Sequence, residues 1–348
     1  MRLQKNTRNI FLGIIGILVL AGAYIGWSVL GPTVKAPEGK YFYIRTGSDY
    51  TTVKQQLKEQ GIIGNTFFFD FMSKRAGYNT RVRPGRYEIK NGSNLLKLVR
   101  MLRAGSQSAV RLVIKKNRTK EDLAGRLGRQ MEADSLEIIG FLNNNDSLQA
   151  YGLDSNTVMT AIIPNSYLVW WDGPFGKLFK RLKDQEEQFW DGRRTDKANA
   201  LGLNKTQVYI LASIVEEETN KDDEKGLVAS VYANRLKQGM RLEADPTVKF
   251  AMKDFQLKRI LRGHLDYPSP YNTYRNTGLP PGPICTPSIK TIDAVLDMPQ
   301  TKFLFFAARP EFNGYHNFAE TYSEHLKNAQ AYRKALDELI RSRHDSNP

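Results

Sequence analysis

With a single cysteine, Cys285, the chain has no intramolecular disulfide, and four histidines in 348 residues leave it short of the ligands a structural zinc site needs. No Gly-x-Gly-x-x-Gly or Gly-x-x-x-x-Gly-Lys-Ser/Thr run occurs, so nothing points to nucleotide chemistry, and no cofactor or metal is expected. Acidic residues are in deficit: 36 Asp and Glu stand against 51 Lys and Arg, a formal charge of +15. That balance implies an anionic neighbour, whether nucleic acid, membrane surface or an acidic wall polymer. No zinc-finger, helix-turn-helix or RNP signature accompanies the charge, so nucleic acid is not expected as a partner.

Long apolar runs are also scarce, and only one reaches spanning length. Ile10–Leu30 is 21 residues without a charge, close to the ~20 that cross a hydrocarbon core. Tyr24 and Trp27 stand near its far end, where aromatic rings favour the interface. Arg2, Lys5 and Arg8 precede it, which places residues 1–9 in the cytoplasm and the rest of the chain outside, in a single-pass arrangement. A cleaved signal peptide is the competing reading. The run exceeds the usual length of a signal h-region and lacks an obvious small-x-small cleavage site, so an uncleaved anchor is favoured.

After a Pro/Gly/Lys segment at Pro32–Gly39, a pattern of short β-rich run, turn and helix recurs loosely three times. The first copy has Tyr41–Arg45 as strand and a helix from Tyr50 to Gln60. The second has Gly85–Ile89 as strand, Ser93 as N-cap and a helix over Leu95–Arg103. The third has a strand over Ala109–Lys115, Thr119 as N-cap and a helix through about Met131. These units carry few catalytic residue types and read as a binding or spacing module. Residues 132–200 are helical and aromatic, and the polar run Asp191–Lys205 marks a fair boundary.

The chemistry concentrates after residue 200. Gln207–Thr219 is an apolar helical stretch ending in three glutamates. At about 100° per residue, Leu211, Ile214, Val215 and Glu218 share one stripe, and Glu216 and Glu217 point elsewhere. A carboxylate on an apolar stripe is costly to ionise unless paired, so it tends to keep its proton near neutral pH. General-acid chemistry on a glycosidic oxygen requires such a group. The bland alternatives are a buried Glu neutralised by an Arg, or a helix that stops early and exposes Glu218. A second helix over Lys225–Lys237 follows, with Asn234 either a surface residue or a site residue. Then come a turn-rich loop at Gly239–Thr247, the run Ser269–Tyr274, and Gly278–Pro283, too rich in proline for helix or central strand and stiff enough to wall a cleft. A strand over Lys302–Ala308 and a closing helix over Tyr322–Arg341 complete the chain.

At these residues the chain resembles the MltG or YceG-like endolytic murein transglycosylases. The matching stretches are Ala212–Thr219, Val228–Leu236, Gly239–Val248, Tyr271–Tyr274, Gly278–Ile284, and His316 with Phe318. The resemblance is strong over about 205–335 and weaker over 1–130, where the family has an anchor and a LysM-like module that grips glycan. It is thin over 132–200, where the family's Pro-Asp-Thr-Tyr-like motif stands as Pro164-Asn165-Ser166-Tyr167, without its acid. It implies that Glu218 is the catalytic acid/base and that the bond cut is MurNAc-β-1,4-GlcNAc inside a glycan strand. The product would be a 1,6-anhydro-muramyl end, formed without water, in an enzyme that terminates or trims nascent strands. Peptidoglycan and, at family level, cell-wall synthases are the implied partners.

The expected class is α+β: cytoplasmic tail 1–9, transmembrane helix 10–30, linker 31–39, LysM-like module 40–110, intermediate helical region 111–200 and catalytic domain 201–345. Tyr271, Asn272 and Asn234 are candidate cleft groups, and Asp245 and His316 fall in the matching motifs as further candidates for holding substrate or orienting Glu218. Glu243 and Glu320 are other acids that the fold could bring near. The competing function is a non-catalytic peptidoglycan-binding scaffold, and a third reading is a basic module that binds anionic polymers by charge alone.

Overall fold

The uncharged run after Arg8 folds, in the computed structural model, as part of one long helix, α1 (Arg2–Leu30). The structure describes residues 2–257 and 259–345, with side chains for 8–257 and 259–342, so the Arg2 and Lys5 charges of the topology expectation lie outside the described side chains. Within α1, Arg8–Leu30 is long and apolar enough to cross a membrane, and it is the only such helix among the described residues. Its side chains are exposed along most of its length. The described residues form two compact units, one comprising those within 2–111, 130–133 and 168–174, the other those within 112–129, 134–167, 175–257 and 259–345.

In the first unit the chain leaves α1 at Gly31, whose N–H donates to Trp27 O at 2.8 Å and where a Cβ would collide with that same carbonyl. Residues Pro32–Gly39, expected to link, are instead held down: Val34 is buried and bridges to Ser93, and Ala36 N donates to Asn91 Oδ1 at 2.7 Å. β1 (Tyr41–Ile44) pairs antiparallel with β2 (Gly85–Glu88), in the register Tyr41↔Glu88 to Ile44↔Gly85. Between them run α2 (Tyr50–Glu59), capped by Asp49, and α3 (Thr66–Ala76), capped by Asn65. α3 was not expected, because its Phe-Phe-Phe-Asp-Phe run shows neither helical nor strand periodicity. α4 (Leu95–Ala104) follows, with Asn94 rather than Ser93 as its N-cap, accepting from Lys97 N at 2.8 Å. Phe42, Ile44, Leu57, Phe69, Tyr87 and Leu102 form the core of this unit. The returning segments also pack here: Glu132 accepts from Thr46 N and Oγ1, both at 2.7 Å, and Trp171 lies edge-on to Tyr43.

β3 (Val110–Val113) belongs to a second two-stranded sheet. Beyond it α5 (Lys120–Gly128) starts at a capping box between Thr119 and Asp122, and α6 (Ser135–Asn143) and α7 (Asn145–Gln149) follow. β4 (Ser166–Val169) pairs with β3, and α8 (Phe175–Phe189) and α9 (Gly192–Ala200) lead to α10 (Lys205–Glu218). α10 is the core of the second unit, with every residue from Val208 to Val215 buried. Its neighbours are α9, α11 (Lys225–Lys237), α12 (Asp245–Met252) and α14 (Ile289–Leu296), with the short α13 (Arg262–Leu265) preceding α14 in sequence. A helix buried all round needs its apolar mass for stability: Leu211→Ala here would cost about 2–5 kcal/mol. β5 (Phe305–Ala308) and β6 (His316–Ala319) form the third two-stranded sheet, against which α15 (Tyr322–Asp345) packs. The class is mixed α+β, as the sequence implies.

Candidate active site

Burial of α10 on all sides means that the helical wheel alone does not single out Glu218, since Glu216 and Glu217 are also half-buried. Their partners separate the three. Glu216 accepts from the Thr291 hydroxyl, from Ser288 Oγ at 3.1 Å and from Lys225 Nζ at 3.4 Å. Glu217 is held bidentately by Arg118, with Nη2 at 2.8 Å, and by Lys116 at 3.1 Å. Burial pushes the Glu217 carboxyl up, but Arg118 and Lys116 outweigh it and hold it below its ordinary value. Among the described residues Glu218 has no such cation in contact. Its Oε2 is inaccessible to solvent and without a hydrogen-bond partner.

Burial therefore dominates at Glu218 and pushes its carboxyl up to about 7. The charge of Asp245 adds to the rise, while the Tyr232 hydroxyl and Lys249 pull against it. Glu218 is also the last residue of α10, where the carbonyl end of the helix disfavours a negative charge. Neither bland alternative holds: the helix reaches Glu218, and among the described residues no Arg neutralises it.

Asp245 comes to this place through a clasp between two loops that are far apart in sequence. Thr273 Oγ1 accepts from Ala244 N at 3.0 Å and lies 2.9 Å from Thr247 Oγ1, and Glu243 N donates to Thr273 O at 3.2 Å. The clasp sets Asp245, at the start of α12, against Tyr274, whose hydroxyl donates to Asp245 Oδ1 at 2.7 Å. Burial and that carboxylate push the Tyr274 phenol far above its ordinary value, so it stays a donor. Tyr232 on α11 is fully buried beside Glu218, and burial likewise holds its proton.

The other expected residues lie in different settings. The Asn272 side chain, 0% exposed, donates to Leu265 O and Tyr267 O and accepts from Tyr274 N at 3.0 Å, so it shapes the loop that presents Tyr274. Asn234 donates to Thr301 O and Phe303 O, fastening α11 to the segment before β5. The backbone N–H of His316 donates to Glu224 Oε1, and its ring Nδ1 lies 3.0 Å from Glu224 Oε2. Glu243 pairs with Arg235 at 2.9 Å, and Glu320 N donates to Glu324. Tyr271 packs on Phe250 and, with Arg118, Lys120, Asn156 and Pro283, lines a cavity of about 300 Å³. Pro283 places the stiff Gly278–Pro283 run in that wall, and Ser213 of α10 receives the next N–H, from Ile284, at 3.0 Å.

Tyr232, Tyr274 and Lys249 are the residues that sequence reasoning did not select. Two of them sit inside motifs already singled out, Val228–Leu236 and Tyr271–Tyr274, but their relation to Glu218 depends on packing between distant segments.

A buried acid of raised proton affinity at the end of a core helix, with the charge of a second carboxylate acting on it, is an arrangement that acid/base chemistry uses. The chain belongs to the YceG-like family, whose sequence model matches residues 42–331. It is similar to the endolytic murein transglycosylase of Bacillus subtilis strain 168, with 26% identity over 340 residues, 92% of this chain and 93% of that protein. It is also similar to the endolytic murein transglycosylase of Streptococcus pneumoniae serotype 2, with 24% identity over 84% of this chain and 59% of that longer protein. A crystal structure described as a yceG-like protein from Listeria monocytogenes superposes with a TM-score of 0.54 and 25% identity, covering 82% of this chain and 98% of that one.

Proposed function

We propose that this protein is a membrane-anchored lytic endotransglycosylase of peptidoglycan, a lyase that cuts MurNAc-β-1,4-GlcNAc bonds within glycan strands. The observation that carries the reading is the unpaired, inaccessible Glu218 Oε2, beside two glutamates that are each matched to a cation. As acid, Glu218 protonates the glycosidic oxygen and the C1–O bond breaks. As base, it takes the proton from the muramyl 6-hydroxyl as that oxygen bonds to C1, which closes the 1,6-anhydro ring and regenerates the acid without consuming water. Burial raises the proton affinity of Glu218, and the Asp245 charge, steadied by Tyr274, adds to that rise and offsets positive charge on the sugar as the bond breaks. The names of the Bacillus and pneumococcal relatives support the substrate class.

In this reading Arg8–Leu30 is the anchor, with the N-terminus cytoplasmic and both units outside. The order β1–α2–α3–β2 around one antiparallel strand pair supports a LysM-like glycan grip in the first unit. Asn272 orients Tyr274, Tyr271 contacts sugar from its cavity, and Asn234 and His316 hold the surrounding frame. The enzyme would trim or terminate strands as wall synthases make them. Mass analysis of products from purified glycan strands tests the reaction. Internal cuts ending in 1,6-anhydro-muramyl groups are expected, and reducing ends heavier by one water would make the protein a hydrolase.

A further inference from the structure

The exit of α1 from the proposed membrane span is fixed by side chains of the first unit. Tyr24 of α1 meets Phe68 of α3 edge-on, with ring centroids 5.9 Å apart, and Val29 packs on the core of the unit. Thr33 Oγ1 also donates back to Ser28 O at 3.3 Å, so the helix end and the chain after it are one piece.

Length then decides where α3 must lie. Twenty residues from Ile10 reach Val29, and at ~1.5 Å per residue they fill a hydrocarbon core of ~30 Å. Tyr24 sits five residues before Val29, so it lies roughly 7–8 Å inside the outer boundary. If the core ended before Tyr24, only Ile10–Ala23 would remain inside, about 21 Å and too short to span. Phe68 touches Tyr24, so the first turn of α3 is carried down to the level of the lipid.

The surface around that contact fits such a position. Phe67 and Phe71 stand one turn apart on α3 and are 70% and 55% exposed, an unusual state for phenylalanine on a folded surface. Ser28, Val34, Ile63, Asn65, Phe68 and Leu95 line one small cavity of about 140 Å³, which brings three chain segments together at the helix end. Segments 28–37 and 91–97 contain no acidic residue and each carries an exposed lysine, Lys35 and Lys97, while the one carboxylate between the two rings, Asp70, is paired with Lys54 at 3.2 Å and Lys74 at 2.8 Å. Aromatic rings with basic neighbours, and with the one nearby carboxylate matched to lysines, suit the interface of an anionic bilayer.

We infer that the first unit docks on the outer face of the membrane through α3, with Phe67 and Phe71 inserted among the lipid headgroups and upper chains. The inference rests on α1 being the anchor. It gives the unit a fixed attitude on the bilayer instead of a free swing about a tether.

The test uses the full chain in nanodiscs of anionic phospholipid, with single cysteines introduced by Phe67→Cys, Phe71→Cys, Leu18→Cys and Arg81→Cys. The native Cys285 is buried and stays unlabelled in the folded protein. Each site carries a polarity-sensitive fluorophore, read with a lipid-borne and an aqueous quencher. Lipid quenching at 67 and 71 should be several-fold stronger than at 81, which lies beyond the C-terminal end of α3. If 18 is quenched by lipid and 67 and 71 are no more so than 81, the docking is wrong and the anchor stands. If 18 is not quenched, the anchor reading fails and the docking with it. Shielding of 67 and 71 from both quenchers would mean that protein covers the face, which also overturns the proposal.

Discussion

The Tyr274 hydroxyl donates to Asp245 Oδ1 at 2.7 Å, and the same carboxylate raises the proton affinity of Glu218. One phenol thus fixes the position of the charge that tunes the buried acid. Asp245→Asn removes that charge but keeps the shape, so the Glu218 pKa should fall from about 7 and the alkaline limb of kcat/KM should move to lower pH. The rate at the optimum should drop by roughly ten- to a hundred-fold, as for the loss of one oriented electrostatic contact. Tyr274→Phe should lower the rate less and move the limb less. A pH profile unchanged in both variants would remove Asp245 from the proposed mechanism.

Glu218→Gln should abolish turnover while near-UV and far-UV circular dichroism stay those of the wild type. Glu216→Gln should keep measurable activity, because its carboxylate serves Thr291, Ser288 and Lys225 in packing α14. Glu217→Gln should weaken the Arg118 contact, at about 1–3 kcal/mol of stability, with activity retained. Glycan cleavage by Glu218→Gln at near wild-type rate would place the acid elsewhere.

The same group has a signature in stability that is independent of substrate. The folded-state pKa of Glu218 is raised from 4.5 to about 7, so the folded protein binds the extra proton more tightly than the unfolded chain does. Its stabilising contribution is full below pH ~4.5 and is lost as pH rises through ~7. Glutamine mimics the neutral acid at every pH. Glu218→Gln should therefore be more stable than wild type at pH 8, by at most about 3 kcal/mol on 1.36 kcal/mol per unit, and about equal near pH 4.5. Chemical denaturation at the two pH values measures it, and equal stability at pH 8 would mean that Glu218 is ionised without cost.

Which of these relations could be read from sequence depends on their range along the chain. The cap at Thr119 and the strands Tyr41–Ile44 and Gly85–Glu88 follow from contacts within a few residues and were legible, whereas the cap expected at Ser93 falls to its neighbour Asn94. α3 was hidden because its aromatic run lacks a period. The burial of Glu218 was legible as a stripe, yet the structure isolates it through the cations that Glu216 and Glu217 find on residues 116–118 and 225. The Asp245–Tyr274 pair depends on the Thr247–Thr273 clasp, 26 residues apart, and no local pattern announces it. Asn234 stands out in sequence as a polar residue among apolar ones, and Asn272 and His316 stand out as members of the matching motifs. Their bonds show that a polar group in such a setting serves backbone carbonyls or a buried carboxylate as readily as a substrate.

The adjacent tryptophans 170 and 171 should separate glycan binding from folding in the first unit. Trp171 is buried and edge-on to Tyr43, whereas Trp170 is 55% exposed. An exposed indole offers a flat apolar face to a sugar ring, and such a contact is worth about 1 kcal/mol, or roughly five-fold in affinity. Trp170→Ala should therefore cut retention on insoluble peptidoglycan several-fold, with the melting temperature within a few degrees of wild type and turnover of short oligomers unchanged. Trp171→Ala should instead lower stability by about 3–5 kcal/mol, as for truncation of a large core side chain. Equal retention of Trp170→Ala and wild type would rule out that indole as a glycan contact, because no loss of fold could mask the result.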